Sequence, residues 1–143
     1  IDIQNKVLNQ IIERLSIDKN INSYYLNKNE IQYLDKLGFE IGSHSVKHTL
    51  LSRLSKRMQK VELLNSKLFL ENLLKKRVFS FCYPYGGSDS YDRNTLKLLS
   101  DIGYLNAVTV DSKDIDLRSL KKDKFEIPRY DCNQISKMFF KKI

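Results

Sequence analysis

Two histidines, His44 and His48, are the only imidazoles in a chain of 143 residues. They stand four positions apart in the segment Gly42-Ser43-His44-Ser45-Val46-Lys47-His48. Imidazoles at that spacing share a face if the segment turns helically, and both can then reach one metal ion. From spacing alone, a metal pair and two ordinary surface or core histidines both stay open. No glutamate follows His44 in the pattern of a zinc metalloprotease, so that mechanism is disfavoured. A second segment, Cys82-Tyr83-Pro84-Tyr85-Gly86-Gly87, breaks off in proline and two glycines. Such a segment lets backbone approach a ligand closely, and its N–H groups can face an oxyanion. A plain turn is the other reading.

These residues need elements to hold them. Apolar residues Ile3, Val7, Leu8, Ile11, Ile12 and Leu15 recur at helical spacing and predict an amphipathic helix over 3–16. A polar loop, 16–23, follows. Asn27 with Glu30 three residues on predicts a capping box, opening a helix that turns Ile31, Leu34 and Leu37 inward and stops at Gly38. Phe39-Glu40-Ile41-Gly42 reads as a short strand leading into the histidines. Ser55 is placed to cap a long helix over 56–75, with Met58, Val61, Leu64 and Leu68 on its apolar face. Strand-forming residues run from Arg77 to Tyr83 and deliver the Pro-Tyr-Gly-Gly turn. Asp92 caps a helix that Gly103 ends, and Tyr104 to Val110 reads as a third strand. A charged loop, 111–124, leads to a short strand at Phe125-Glu126-Ile127, ended by Pro128-Arg129. Asn133 caps a last helix bearing Ile135, Met138 and Phe139. Strands alternating with helices imply an α/β fold of parallel βα units, read as one domain over 1–143. Chemistry in such folds gathers at the C-terminal ends of strands, where both segments lie.

Composition narrows the class. Hydrophobic residues at 41% and charged residues at 29% describe a chain that folds. No apolar run approaches the ~20 residues of a membrane-spanning helix. The net charge of +8 admits nucleic acid or acidic polymers as partners. Its lysines are spread, often beside acids, and no nucleic-acid motif accompanies them, so a nucleic-acid partner is not expected. Two cysteines, Cys82 and Cys132, exclude a disulfide scaffold. A single pairing and two free thiols both stay open.

Three stretches together carry a family likeness. They are Gly-Phe-Glu-Ile-Gly-Ser-His-Ser-Val-Lys-His at 38–48, Leu-Ser-Arg-Leu-Ser at 51–55, and Phe-Ser-Phe-Cys-Tyr-Pro-Tyr-Gly-Gly at 79–87. With Ile102-Gly103-Tyr104, Ala107-Val108-Thr109 and Ile127-Pro128-Arg129, they resemble the polysaccharide deacetylase (NodB-homology) family over about 26–133. The resemblance implies a distorted (β/α) barrel and a metal-dependent hydrolase that removes acetyl groups from N-acetylated sugars of a polysaccharide. It implies that His44 and His48 bind a divalent metal, usually zinc, with a carboxylate as third ligand and a second carboxylate as general base. It places the oxyanion against the backbone N–H of Tyr85, the glycan near Tyr83, Pro84 and Tyr85, and the metal ligands in the care of Ser45 and its neighbours.

Departures from the pattern are equally informative. The family's Thr-Phe-Asp-Asp-Gly type motif, which holds both carboxylates, has no counterpart before His44. No third histidine exists to act as acid, and the motif arginine is replaced by Cys82. Arg129 is the candidate to take over as carboxylate partner. With Ile1 in place of a methionine, the chain reads as a C-terminal portion of a longer deacetylase. The expectation is a partial barrel without its N-terminal strands, an open strand edge and apolar seam, weak metal binding and no turnover. A signal placing the protein in a bacterial cell envelope or cytoplasm would lie upstream of Ile1. A non-catalytic glycan-binding or scaffold relative of the same fold is the alternative.

Overall fold

Three of the helices begin where a side chain satisfies the free N–H groups of a first turn. The computed structural model describes residues 2–14, 25–116, 118 and 124–131. The chain divides into two units, Ile1–Leu37 and Gly38–Ile143.

In the first unit, α1 spans Asp2–Arg14, close to its expected range. The loop expected at 16–23 lies outside the described residues. Helix α2 spans Lys28–Lys36. Its capping box is complete: the Asn27 side chain accepts from the N–H of Asn29 and Glu30, and Glu30 accepts from the Asn27 N–H at 2.7 Å. Ile31 and Leu34 are half-buried, whereas Leu37, expected inward, is exposed. Leu37 is the C-cap, one residue past the helix, so it leaves the face that Ile31 and Leu34 share. Gly38 follows with φ +91°, the left-handed conformation expected of it.

In the second unit, a 3-10 turn at Leu51–Arg53 precedes α3, Lys56–Leu74, capped by Ser55. Strand β1 is Ser80–Cys82, α4 is Arg93–Ile102 and β2 is Asn106–Val108. Asp92 and Thr95 form the α4 capping box, and Gly103 closes the helix at φ +87°. Strands β1 and β2 pair in parallel, with Phe81 opposite Ala107. Single parallel bridges extend the ladder on both sides, Ser43 to Phe81 and Val108 to Ile127. Parallel βα organisation is therefore present, although the strands expected at 39–42 and 125–127 shrink to one bridge each. At the first, the ladder bonds run through Ser43 alone: its N–H reaches the Ser80 carbonyl at 2.9 Å, and its carbonyl accepts from Cys82. The last helix expected, from Asn133, lies outside the described residues.

The core forms between this sheet, α3 and α4. Leu51, Leu63, Val78, Phe81, Tyr83, Leu99 and Ala107 are its driest aliphatic and aromatic members. Each large side chain buried there contributes roughly 1.5–3 kcal/mol. Phe81 stacks edge-on with Tyr83 and Tyr104 at 5.4 and 5.5 Å.

The long helix corrects the apolar-stripe expectation. Met58, Val61 and Leu68 are exposed, and the face turned to the core carries Gln59, Glu62, Leu63, Ser66 and Lys67. Burial of such groups is tolerable only when each is partnered. Gln59 donates to the Leu54 carbonyl and the Asp92 carboxylate and accepts from the Thr95 hydroxyl. Lys67 donates to the Val78 carbonyl and pairs with Glu71 at 3.4 Å. Glu62 and Ser66 meet the histidine loop. Among the described residues, no helix is long and apolar enough to cross a membrane.

Candidate functional site

His44 follows directly on the residue that bridges to β1. Its Nδ1 lies 2.7 Å from the carbonyl oxygen of Cys82. A carbonyl can only accept, so Nδ1 carries the proton, and in the neutral ring the lone pair is left on Nε2. That is the state in which an imidazole ligates a metal, held by a bond that fixes the ring. The His48 ring stands 4.8 Å from the His44 ring, centroid to centroid, at 69°. Tyr85 packs edge-on against the other histidine, 5.0 Å from His48 at 60°. Both histidines and Tyr85 are exposed. The two segments singled out in the sequence therefore meet in one place.

The histidines do not come together on a helical turn. Residues 44–48 form an irregular bend, with Ser45 at φ 64° and His48 at φ 52°. Tyr85 is left-handed as well, at φ 65°. Non-glycine residues in this region cost about 1–3 kcal/mol each, and they persist where surrounding contacts impose them. Those contacts are specific. One oxygen of Glu62, a residue 3% exposed, accepts from the N–H of Val46 at 2.9 Å and of Lys47 at 2.8 Å. The Ser45 hydroxyl oxygen accepts from the His48 N–H at 3.0 Å. Ser43 and Ser66 hydroxyls bond each other at 2.7 Å. A groove of about 610 Å³ flanks His44, lined by Gly42, Ser45, Val46, Asn65, Ser66, Phe69 and Leu70.

Close backbone approach shapes the second segment. Gly86 sits at φ +72°, and a Cβ there would lie 2.5 Å from Val110 Cγ1. Its carbonyl accepts from the Val110 N–H at 3.1 Å. Pro84 and Tyr83 are fully buried, so of the three residues expected near a glycan only Tyr85 presents its side chain to solvent. Tyr83 stacks on Tyr91 at 4.1 Å and donates to the Phe125 carbonyl at 2.7 Å. Tyr91 donates to Glu126 at 2.8 Å. Burial pushes the hydroxyl pKa of both tyrosines well above the ordinary value, and the Glu126 charge adds to it. Neither ionises near neutral pH.

Arg129 lies two residues beyond the Ile127 bridge, on the opposite side of the ladder from the Ser43 bridge that leads to His44. Its N–H donates to the Asp111 carbonyl at 3.1 Å, and its side chain is exposed. No hydrogen bond or ring contact links it to either histidine. Cys82 is a free thiol, and Cys132 lies outside the described residues. Among the described residues, no three His, Cys, Asp or Glu side chains gather as a metal cluster. Sequence reasoning missed Glu62 and Ser66. Their signal was present as a polar row at 59, 62 and 66, spaced by three and four.

The family model for polysaccharide deacetylases matches residues 12–107, well over half of the chain. The chain belongs to the polysaccharide deacetylase family. This deacetylase-family chain is 28% identical over 88 residues to YxkH of Bacillus subtilis (strain 168), a protein assigned to the polysaccharide deacetylases; the match covers 62% of this chain and 30% of that protein. Among solved structures, the Streptococcus pyogenes deacetylase PplD in complex with acetate superposes with a TM-score of 0.64 at 22% identity, over 73% of this chain and 45% of the other. IcaB from Ammonifex degensii gives a TM-score of 0.65 at 17% identity, over 77% and 49%. The family 4 carbohydrate esterase of Streptomyces lividans, in complex with acetate, gives 0.54 at 14%, over 73% and 58%. At these identities the likeness establishes a deacetylase fold for the part of the chain that superposes. The chain spans 30% of the curated relative and about half of the structural relatives.

Proposed function

We propose that this deacetylase-family chain carries the metal- and acetyl-facing residues of a hydrolase that removes acetyl groups from N-acetylated sugars of a polysaccharide. One observation carries the reading: His44, His48 and Tyr85, drawn from two separate sequence segments, stand ring to ring at the end of a parallel sheet. The parallel segments are, in this reading, part of a distorted (β/α) barrel.

His44 and His48 would hold the divalent metal, zinc. The donors fit: two imidazoles suit zinc, and the Cys82 carbonyl occupies Nδ1 of His44, leaving Nε2 to ligate. Among the described residues no third His, Cys, Asp or Glu gathers with the two histidines, so in this reading the third ligand and the carboxylate base come from elsewhere in the protein. A metal bound here would supply Lewis-acid polarisation of the acetamide carbonyl and activation of water.

The chain's own residues do the rest. The Tyr85 backbone N–H would donate to the oxyanion that forms as the acetamide carbon becomes tetrahedral. The exposed Tyr85 ring would face the sugar, while buried Tyr83 and Pro84 fix the strand end beneath it. Arg129 would pair with the carboxylate base and steady it.

Binding of N-acetylchitotetraose to the zinc-loaded chain, followed by amide chemical shifts, tests the reading. Shifts confined to residues around His48, Tyr85 and Gly86, and absent from a Tyr85→Ala variant with sugar added, are expected. Shifts elsewhere, or none at millimolar sugar, would count against it.

A further inference from the structure

We propose that Glu62 is a positioning residue for the histidine pair: through one carboxylate oxygen, α3 clamps the loop that carries both imidazoles. The inference rests, for its functional half, on reading His44 and His48 as metal ligands.

Two loop amides converge on the same atom. Val46 and Lys47 both donate to Oε2 of Glu62, at 2.9 and 2.8 Å, and they lie between the two histidines. Glu62 is 3% exposed, so its carboxylate has exchanged water for these donors. Hydrogen bonds to a charged acceptor are roughly twice as strong as neutral ones. Two successive N–H groups can point at one oxygen only if the chain bends, and the bend is present. Ser45 and His48, which flank the clamped amides, both hold the left-handed conformation. The clamp offsets part of the cost of those two conformations, beside the bond from the His48 N–H to the Ser45 hydroxyl. Ser66, one turn further along α3, bonds the Ser43 hydroxyl and anchors the start of the same loop. Glu62 touches neither imidazole. Its effect passes through the backbone, which sets where the His48 ring stands relative to His44.

Glu62→Gln keeps the side chain's volume and an acceptor oxygen but removes the charge, so it is the decisive variant. Amide hydrogen exchange at Val46 and Lys47 is expected to quicken about tenfold or more, with Phe81 and Ala107 unchanged. Nitrogen-detected imidazole spectra of the metal-free chain are expected to show His44 as one Nδ1–H tautomer in the wild type and His48 shifted in the variant. Zinc affinity is expected to fall about tenfold, as for groups that orient a ligand. A purely structural glutamate would quicken exchange at Phe81 as much as at Val46 and leave the zinc affinity of the folded fraction unchanged; that result would overturn the proposal. So would wild-type exchange at both loop amides. Glu62→Ala serves as the stronger perturbation, and if it does not fold, the isosteric variant still decides. If the wild-type chain takes no zinc, the metal reading fails, while exchange and tautomer still judge the clamp.

Discussion

The Cys82 carbonyl accepts a 2.7 Å hydrogen bond from Nδ1 of His44. This bond crosses from the histidine loop to the last residue of β1, so the strand that delivers Tyr85 also fixes the tautomer of His44. The side chain of Cys82 takes no part in this bond. Cys82→Ser is expected to leave the His44 tautomer and zinc affinity within about twofold of wild type, because the backbone bond survives. Titration of zinc into both proteins checks it.

The Gly86 turn is expected to reject any side chain. In Gly86→Ala, the new Cβ meets Val110 Cγ1 at 2.5 Å and the backbone N of Val110 at 3.1 Å, at a φ of +72°. We expect a loss of about 2 kcal/mol, from strain together with overpacking. Pairing the change with Val110→Ala should recover only part, since the backbone contact and the positive φ remain. Denaturant unfolding of the single and double variants measures both.

Asp92 contributes to the acid limb of stability. Burial raises its pKa, but the Thr95 N–H, the Gln59 amide and the Thr95 and Asn94 side chains outweigh this, and the net shift is downward from 3.8. A depressed folded-state value means that this stabilisation is complete above the unfolded pKa and fades as pH falls through the folded one. Asp92→Asn keeps a good cap, so it should cost little at pH 7, well under about 1 kcal/mol. Below pH 4 its stability should decline less steeply than that of the wild type, in chemical unfolding measured from pH 2 to 7.

Tyr83 contributes to the alkaline limb, with Tyr91 and Tyr104. Burial first, then the neighbouring Tyr91 and Glu126, hold its hydroxyl pKa far above 10 in the folded chain. The folded value is raised, so the contribution is full below pH 10 and is lost as pH climbs from there. Tyr83→Phe removes the donor to the Phe125 carbonyl and should cost about 1–2 kcal/mol at neutral pH. Its stability should then fall less between pH 10 and 11 than the wild type's.

Local chemistry was legible in the sequence, and long-range pairing was not. The caps at Asn27, Ser55 and Asp92 and the stops at Gly38 and Gly103 involve neighbours within four residues, so each could be read directly. The inward face of α3 could not. Gln59, Glu62 and Ser66 find their partners at Asp92, Val46 and Ser43, far away in sequence, and those partners make burial of polar groups favourable over the Met58–Val61–Leu68 stripe. The strand expected at 39–42 failed for a related reason. Its residue types suit a strand, but the ladder reaches only Ser43. In the site, the motifs located His44, His48 and Tyr85, whereas the burial of Tyr83 depends on Tyr91 and Phe125, which only the fold brings near.

His44 and His48 are proposed to form a metal pair. Calorimetric titration of zinc at pH 7 into the wild-type chain, His44→Ala and His48→Ala tests it most directly. The prediction is one zinc per chain, bound weakly because, among the described residues, no third His, Cys, Asp or Glu gathers with the two imidazoles, with affinity falling about tenfold or more in each variant. Absence of zinc binding by the wild type, or equal affinity in all three proteins, would contradict it.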